Sequence, residues 1–345
     1  MVVEGEGHTM TEQTAQPEAP AAAKRSLARS GSMQTVLAFG GLIILFVGFS
    51  IASSNFFQFE NIVGILLATA VNGVLALGVT FVIVSGGIDL SIGTVMTLSA
   101  VMTGVFVTNW HVPVPIGVVG GLAIGTAAGL VNGIIIAKMK VPPFIATLGM
   151  LNIAKGLALV SSGLKPIYFN DTPSFNQMAM GSALGALIPG FDVPNLVLVL
   201  FGAAIIASLA LSRTILGRYT FALGSNEEAA RLSGVKVDNW KIAIYSVCGL
   251  FSGLAGVLIA ARLNSAQPSL GQGYELDAIA AAVIGGVSLS GGEGTILGTV
   301  IGAFVISTLT NGLRILSVPQ EWQTVVTGGI VILAVYLDVI RRRQR

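Results

Sequence analysis

The chain has 345 residues, 53% of them hydrophobic and only 10% charged, with a mean hydropathy of +0.85 and a formal net charge of +2. Soluble domains carry roughly 25% charged residues, so a mostly water-facing protein is excluded, and so small a positive charge leaves no footprint for nucleic acid. The one cysteine, Cys248, excludes a disulfide within the chain and, inside an apolar run, reads as a small buried side chain.

Residues 1–33 are polar and rich in Ala, Pro, Gln and Ser, the composition of a disordered tail, with Met10 a second candidate start. Lys24, Arg25 and Arg29 precede the first apolar run, as in a signal peptide. That run lacks an A-x-A site before Asn55 and is long enough to span, so a retained anchor is expected. Apolar runs lie near 34–54, 61–84, 91–108, 113–137, 141–161, 193–212, 241–262, 276–290, 295–313 and 320–340. His111 beside Trp110 marks a membrane interface. The eighth run is short and leads into a Gly-rich stretch, Ser288 to Gly294; a broken or re-entrant helix there leaves nine spans.

With ten spans and the tail inside, the inner face holds Lys24, Arg25, Arg29, Lys138, Lys140, Arg213, Arg218, Arg231, Lys236, Lys241, Arg341, Arg342, Arg343 and Arg345, which is 14 of the 18 basic residues. Cytoplasmic loops are enriched in Lys and Arg. The expectation is an all-α polytopic membrane protein of about ten transmembrane helices, both termini cytoplasmic. Its divisions are a tail (1–33), a transmembrane domain (34–340) and a basic end (341–345). Residues 213–240 form its largest charged cytoplasmic loop, and 162–192 falls outside.

In that loop Ser225 or Asn226 can cap a short helix with Glu227 and Glu228 in its first turn, and Gly234 is a good stop. The helix reads E-A-A-x-x-x-G. Small Ala229 and Ala230 allow close docking, while the end charges, Arg231 among them, set register. An ordinary capped helix has the same composition; position in the largest charged loop favours docking.

Polar residues inside membranes face a cavity or a partner helix. Asn72, Thr94, Thr97, Asn132 and Asn152 are candidates for a passage; bonding to the residue's own helix (Thr) or between helices (Asn) competes with that reading. Lys155 lies near the expected outer boundary, where snorkelling is the default. Two Gly-rich breaks share one pattern, Gly86-Gly87-x-x-Leu90-Ser91-x-Gly93 and Gly285-Gly286-x-x-Leu289-Ser290-x-Gly292. They are candidate inner-gate hinges, with Asp89 either part of the gate or a helix-end cap; convergent turns between spans compete. Arg262, Gln267, Glu275 and Asp277, on the outer segment 262–277, are candidate contacts for a delivering protein or a solvated rim.

Five strings carry a family resemblance: S-G-G-I-D-L-S-I-G-T (85–94), P-P-F-I-A-T-L-G (142–149), L-G-R-Y-T-F-A-L-G-S-N-E-E-A-A-R-L-S-G (216–234), A-R-L-N-S-A-Q-P-S-L-G-Q-G-Y-E-L-D-A-I-A-A (261–281) and V-I-G-G-V-S-L-S-G-G-E-G-T (283–295). Together they resemble the permeases of the ribose, xylose and galactose class of ABC sugar importers, over nearly everything after residue 34. The I-x-L-P extension that follows E-A-A-x-x-x-G in some other importer classes is missing. The resemblance implies a type II-like permease in the bacterial inner membrane. It also implies a second permease chain, identical or paralogous, an ABC ATP-binding subunit that holds ATP and Mg, and a periplasmic sugar-binding protein. No P-loop G-x-x-x-x-G-K-[ST] occurs, and there is no Gly-Lys pair at all. The chain is thus expected to be a non-enzymatic pore subunit with no metal or cofactor of its own. The same architecture suits a nucleoside, polyol, signalling sugar or branched-chain amino acid. An ion-coupled secondary transporter would need intramembrane acid or His relays.

Overall fold

The computed structural model describes residues 22–188, 190 and 192–343. In chain order the first helices are α1 (Ala22–Ala52), α2 (Phe59–Val84), α3 (Ile92–Gly104, continued by a π turn Val105–Asn109), α4 (Val114–Ala137) and α5 (Pro143–Ser161). Strand β1 (Ile167–Tyr168) and helices α6 (Pro173–Met180) and α7 (Ala183–Leu187) precede α8 (Asn195–Arg213). Then come α9 (Ile215–Ser225), α10 (Glu227–Leu232), α11 (Val237–Leu263), β2 (Ser265–Ala266), α12 (Tyr274–Ile284), α13 (Ile296–Ile315) and α14 (Gln320–Arg343).

The all-α polytopic class is as expected. Among the described residues eight helices are long and apolar enough to cross a bilayer: α1 to α5, α8, α11 and α13. The eighth expected run is not a full span. It is an 11-residue helix, α12, ending at Gly285. At 1.5 Å per residue it is about 16 Å long, half of a hydrocarbon core of about 30 Å. Of the two alternatives, the chain adopts the broken helix. Helix α14 covers the tenth run but is not among the eight. Most of the expected disordered tail, residues 1–21, lies outside the described residues, as do 344 and 345 of the basic end. From Ala22 the chain is helical, because Ala22 and Ala23, strong helix formers, lead into the apolar run.

Helix α2 is apolar all round and buried without interruption from Thr69 to Val84, so it is the central post. Helices α8, α11, α12 and α13 pack on it, and α3 lies between α4, α5 and α11. The outer helices α1, α4, α5 and α8 keep exposed apolar faces suited to lipid. Thr80 and Thr299 share a hydrogen bond of 2.8 Å between α2 and α13. On one end, β1 pairs antiparallel with β2, Ile167 opposite Ala266, which pins the 162–192 segment to the chain leaving α11.

The tightest seam is α4 on α11. Gly121, Gly125, Gly129 and Gly133 recur every fourth residue and so form one helix face. A Cβ on Gly125 would lie 2.6 Å from the Gly253 Cα, and one on Gly129 3.0 Å from the Gly249 Cα. No side chain fits between those backbones. Such small-residue faces are how helices associate in lipid.

Gly125→Val should therefore force the helices apart, costing about 1–3 kcal/mol or more. Gly202→Ala on α8 meets nothing within 4 Å and should leave stability equal or slightly raised. Thermal unfolding of the two variants in detergent checks this; a wild-type melting point for Gly125→Val would refute the seam.

Candidate coupling element and passage

The loop between α8 and α11 is mostly helical. Thr214, not singled out from sequence, caps α9 by accepting from Gly217 N. The ring of Tyr219 on α9 packs on Trp240 of α11 at 4.8 Å between centroids. Asn226 is the residue that caps α10, in an extended backbone at φ −163°, with its side chain accepting from Ala229 N at 2.9 Å. Gly234 (φ +84°) ends the element: its N–H donates to Arg231 O and the Val235 N–H to Ala230 O, both at 3.1 Å. That pair of bonds requires a left-handed residue, a position glycine fills without strain. Glu228, Ala229 and Arg231 are exposed, while Ala230 is buried against the rest of the chain. Leu232, also not singled out from sequence, is 85% exposed at the tip.

An ion-pair network ties this short helix inward. Glu227 accepts from Lys241 Nζ at 2.7 Å and from Arg231 at 3.3 Å. Arg231 also reaches Asp238 at 3.2 Å, and Asp238 accepts from Lys140 Nζ at 2.9 Å. Lys140 lies just before α5, so α10 is linked to both α11 and the start of α5. Partial burial raises the Glu227 carboxyl pKa, but Lys241 and then Arg231 lower it more, and it ends below the ordinary value of 4.5.

The two Gly-rich breaks, read as gate candidates, come together. Gly292 N donates to Val84 O at 2.8 Å. A Cβ on Gly291 would lie 2.9 Å from the Cα atoms of both Gly86 and Gly224. Gly86 and Gly286 have φ of +81° and +94°. Gly87 packs under the Tyr245 hydroxyl, and Gly285 against the backbone of Gly298. Gly224, two residues before the Asn226 cap, was not singled out from sequence. Asp89 is buried and folds the turn that enters α3: Oδ1 accepts from Ser91 N at 2.9 Å and from Ser91 Oγ at 2.6 Å. Ser91 Oγ in turn accepts from Asn132 Nδ2 at 3.0 Å, and Tyr245 Oη donates to Ile88 O at 3.2 Å.

The passage candidates divide. Asn132 is fully buried and clips α4 to the loop before α3. Asn72 is buried within α2. Asn152 is exposed, its amide donating to Leu148 O of its own helix. Thr94 and Thr97 donate to Ser91 O and Gly93 O and line a small open recess with Lys155, Ser269 and Gln272. A larger recess between α1, α2 and α13 is walled by Leu42, Phe46, Ile65 and Phe304 and offers a hydroxylated solute almost no polar atom.

The candidate contacts for a delivering protein are less superficial than expected. Glu275 is buried, its carboxylate accepting from Gly273 N at the start of the broken helix α12. Arg262 donates to Leu67 O of α2. Gln267 and Asp277 are half-buried. The first turn of α12 lies across the boundary, with Glu275 turned inward while Leu276 remains 56% exposed.

Comparison with known proteins gives the family. The family described as branched-chain amino acid transport system / permease component matches residues 61–335. The ribose import permease protein RbsC of Bacillus subtilis (strain 168) is 45% identical over 309 residues, 89% of this chain and 94% of that protein. RbsC of Escherichia coli (strain K12) is 42% identical over 86% of this chain and 91% of its own length. The L-arabinose ABC transporter permease protein AraH of Azospirillum brasilense is 35% identical over 97% of each. No solved structure matches. With most of its length inside the family match and such relatives along nearly all of it, this chain belongs to the family of branched-chain amino acid transport system permease components, on the side of the sugar importers.

Proposed function

We propose that this chain forms the translocation path for a ribose-like pentose or a hexose, and that α10 receives the push of an ATP-binding subunit. The chain is the permease subunit of a monosaccharide ABC importer in the bacterial inner membrane, in keeping with relatives that import ribose and L-arabinose. The observation that carries the coupling reading is the capped, exposed α10 joined by ion pairs to α11 and to the start of α5. A load on Glu228, Arg231 and Leu232 then reaches two spanning helices and, through Gly224, both Gly-rich breaks. In this reading both termini are cytoplasmic, and ATP and Mg bind only the partner subunit. A periplasmic binding protein delivers the sugar, and a second permease chain completes the pore.

The complex reconstituted with its ATP-binding subunit and binding protein tests this. Leu232→Glu should lose most co-purifying ATP-binding subunit while the permease still folds; retention at the wild-type level would sink the docking role. Asp238→Asn removes the charge that holds both Arg231 and Lys140, leaving the Lys241–Glu227 pair as the ionic tie from α10 to α11. Sugar moved per ATP should fall at least about fivefold, the low end of coupling between sites. An unchanged ratio would remove the link.

The Glu227 pairs carry a pH sign. A carboxyl held below its ordinary value stabilises the folded state above that value and loses the contribution as pH falls through the lowered one. Coupling should thus be insensitive to this group from about pH 7 to 5 and decline only below 4.5. A loss already near pH 6, measured as uptake per ATP, would point to another group.

A further inference from the structure

Lys155 takes no part in the coupling element. It lies on α5, about six residues before the helix ends at Ser161, roughly 9 Å at 1.5 Å per residue. Side chains on a helix lean toward its N-terminus, here away from that near end, which works against snorkelling. The ammonium goes to the chain before α12 instead, reaching Gln272 Oε1 at 3.5 Å. None of the ion pairs among the described residues includes it. A cation within a spanning helix that has no counter-ion almost always faces water or a polar cavity, and Lys155 lines a recess with Thr94, Thr97, Ser269 and Gln272 that, as it stands at about 10 Å³, has room for about one water.

The walls of that recess have a definite hydrogen-bonding character. Thr94 and Thr97 spend their hydroxyl protons on Ser91 O and Gly93 O, at 3.0 and 3.2 Å, so toward the recess they can only accept. Lys155 can only donate. Gln272 does both. A sugar hydroxyl, donor and acceptor at once, matches such a mixed wall; an aliphatic side chain matches none of it. The fixed charges are also opposed in sign: Lys155 lines the recess, and the buried Glu275 carboxylate lies behind it against Gly93. That arrangement favours a neutral solute over either ion.

We propose that Lys155 and Gln272 form a polar bar across the solute passage on the α3–α5 seam, and that hydroxyls of a neutral polyol replace their mutual bond as the solute passes. The bar rests on the permease reading above. It makes Lys155 and Gln272 the residues that select for hydroxylated, uncharged cargo.

The test uses the whole complex in vesicles, with uptake of ribose and binding-protein-stimulated ATPase measured side by side. Lys155→Met should lower uptake about tenfold or more, the scale of a lost charged hydrogen bond, with stimulated ATPase kept. Lys155→Arg should restore most of it. Gln272→Leu, which keeps the ammonium, should also slow uptake and supports the bar independently should Lys155→Met fail to assemble. Wild-type uptake in either Lys155→Met or Gln272→Leu overturns the bar. Absent ATPase stimulation in the unmutated complex is a different failure: it sinks the permease reading, and the bar with it.

Discussion

Backbone pressed on backbone through glycine is the constraint on which the other features depend. Lipid tails are as apolar as leucine, so helices inside a bilayer gain little by hiding apolar side chains from it. They associate where close approach multiplies van der Waals contact. The α4–α11 seam does this over Gly125, Gly129, Gly249 and Gly253. Once α4 and α11 are fixed, Asn132 and Tyr245 are held on the two sides of the loop before α3 and can bond it. The same kind of contact recurs where Gly285 of the α12 end meets Gly298 of α13.

Fixing that loop matters because it carries the charge and the break together. Asp89 in a dry interior would be costly alone; with Ser91 supplying two donors it becomes a stiff turn. The turn positions Gly86 against Gly224 and the second break, Gly291 and Gly292. Three segments far apart in sequence thus share one glycine-lined point at the end of α9. Few side chains intervene there, so the three backbones meet almost directly.

The charged end works by other physics. Its ion pairs are exposed and individually weak, so their value is geometric: Arg231 and Asp238 each hold two partners and thereby set where α10 sits relative to α5 and α11. At the opposite extreme, inside the membrane, threonine hydroxyls turn back on the backbone beside them. Thr80 also meets Thr299 across the α2–α13 seam, and Lys155 reaches Gln272 in another segment without any bond to its own helix backbone.

Much of this was legible in the residue order. Apolar run lengths located, to within a few residues, the eight helices among the described residues that are long and apolar enough to cross, because burying backbone polar groups in lipid leaves no alternative to helices of that length. A cap at Ser225 or Asn226 and the Gly234 stop were readable because capping is a local interaction, and the structure selects Asn226. The chain alone left the eighth run open between a span and a broken helix, for α12 stops where Gly285 meets α13, a neighbour that hydropathy does not see. The G-x-x-x-G face of α4 stands in the string, yet its meaning appears only with Gly249 and Gly253 opposite. Likewise Glu275 looked like an outer-surface acid and Asn132 an equal candidate for pore or clip. Tertiary packing shows Glu275 buried and Asn132 bonded to Ser91, since burial and partner are properties of what lies across a seam and not of a residue's place in the string.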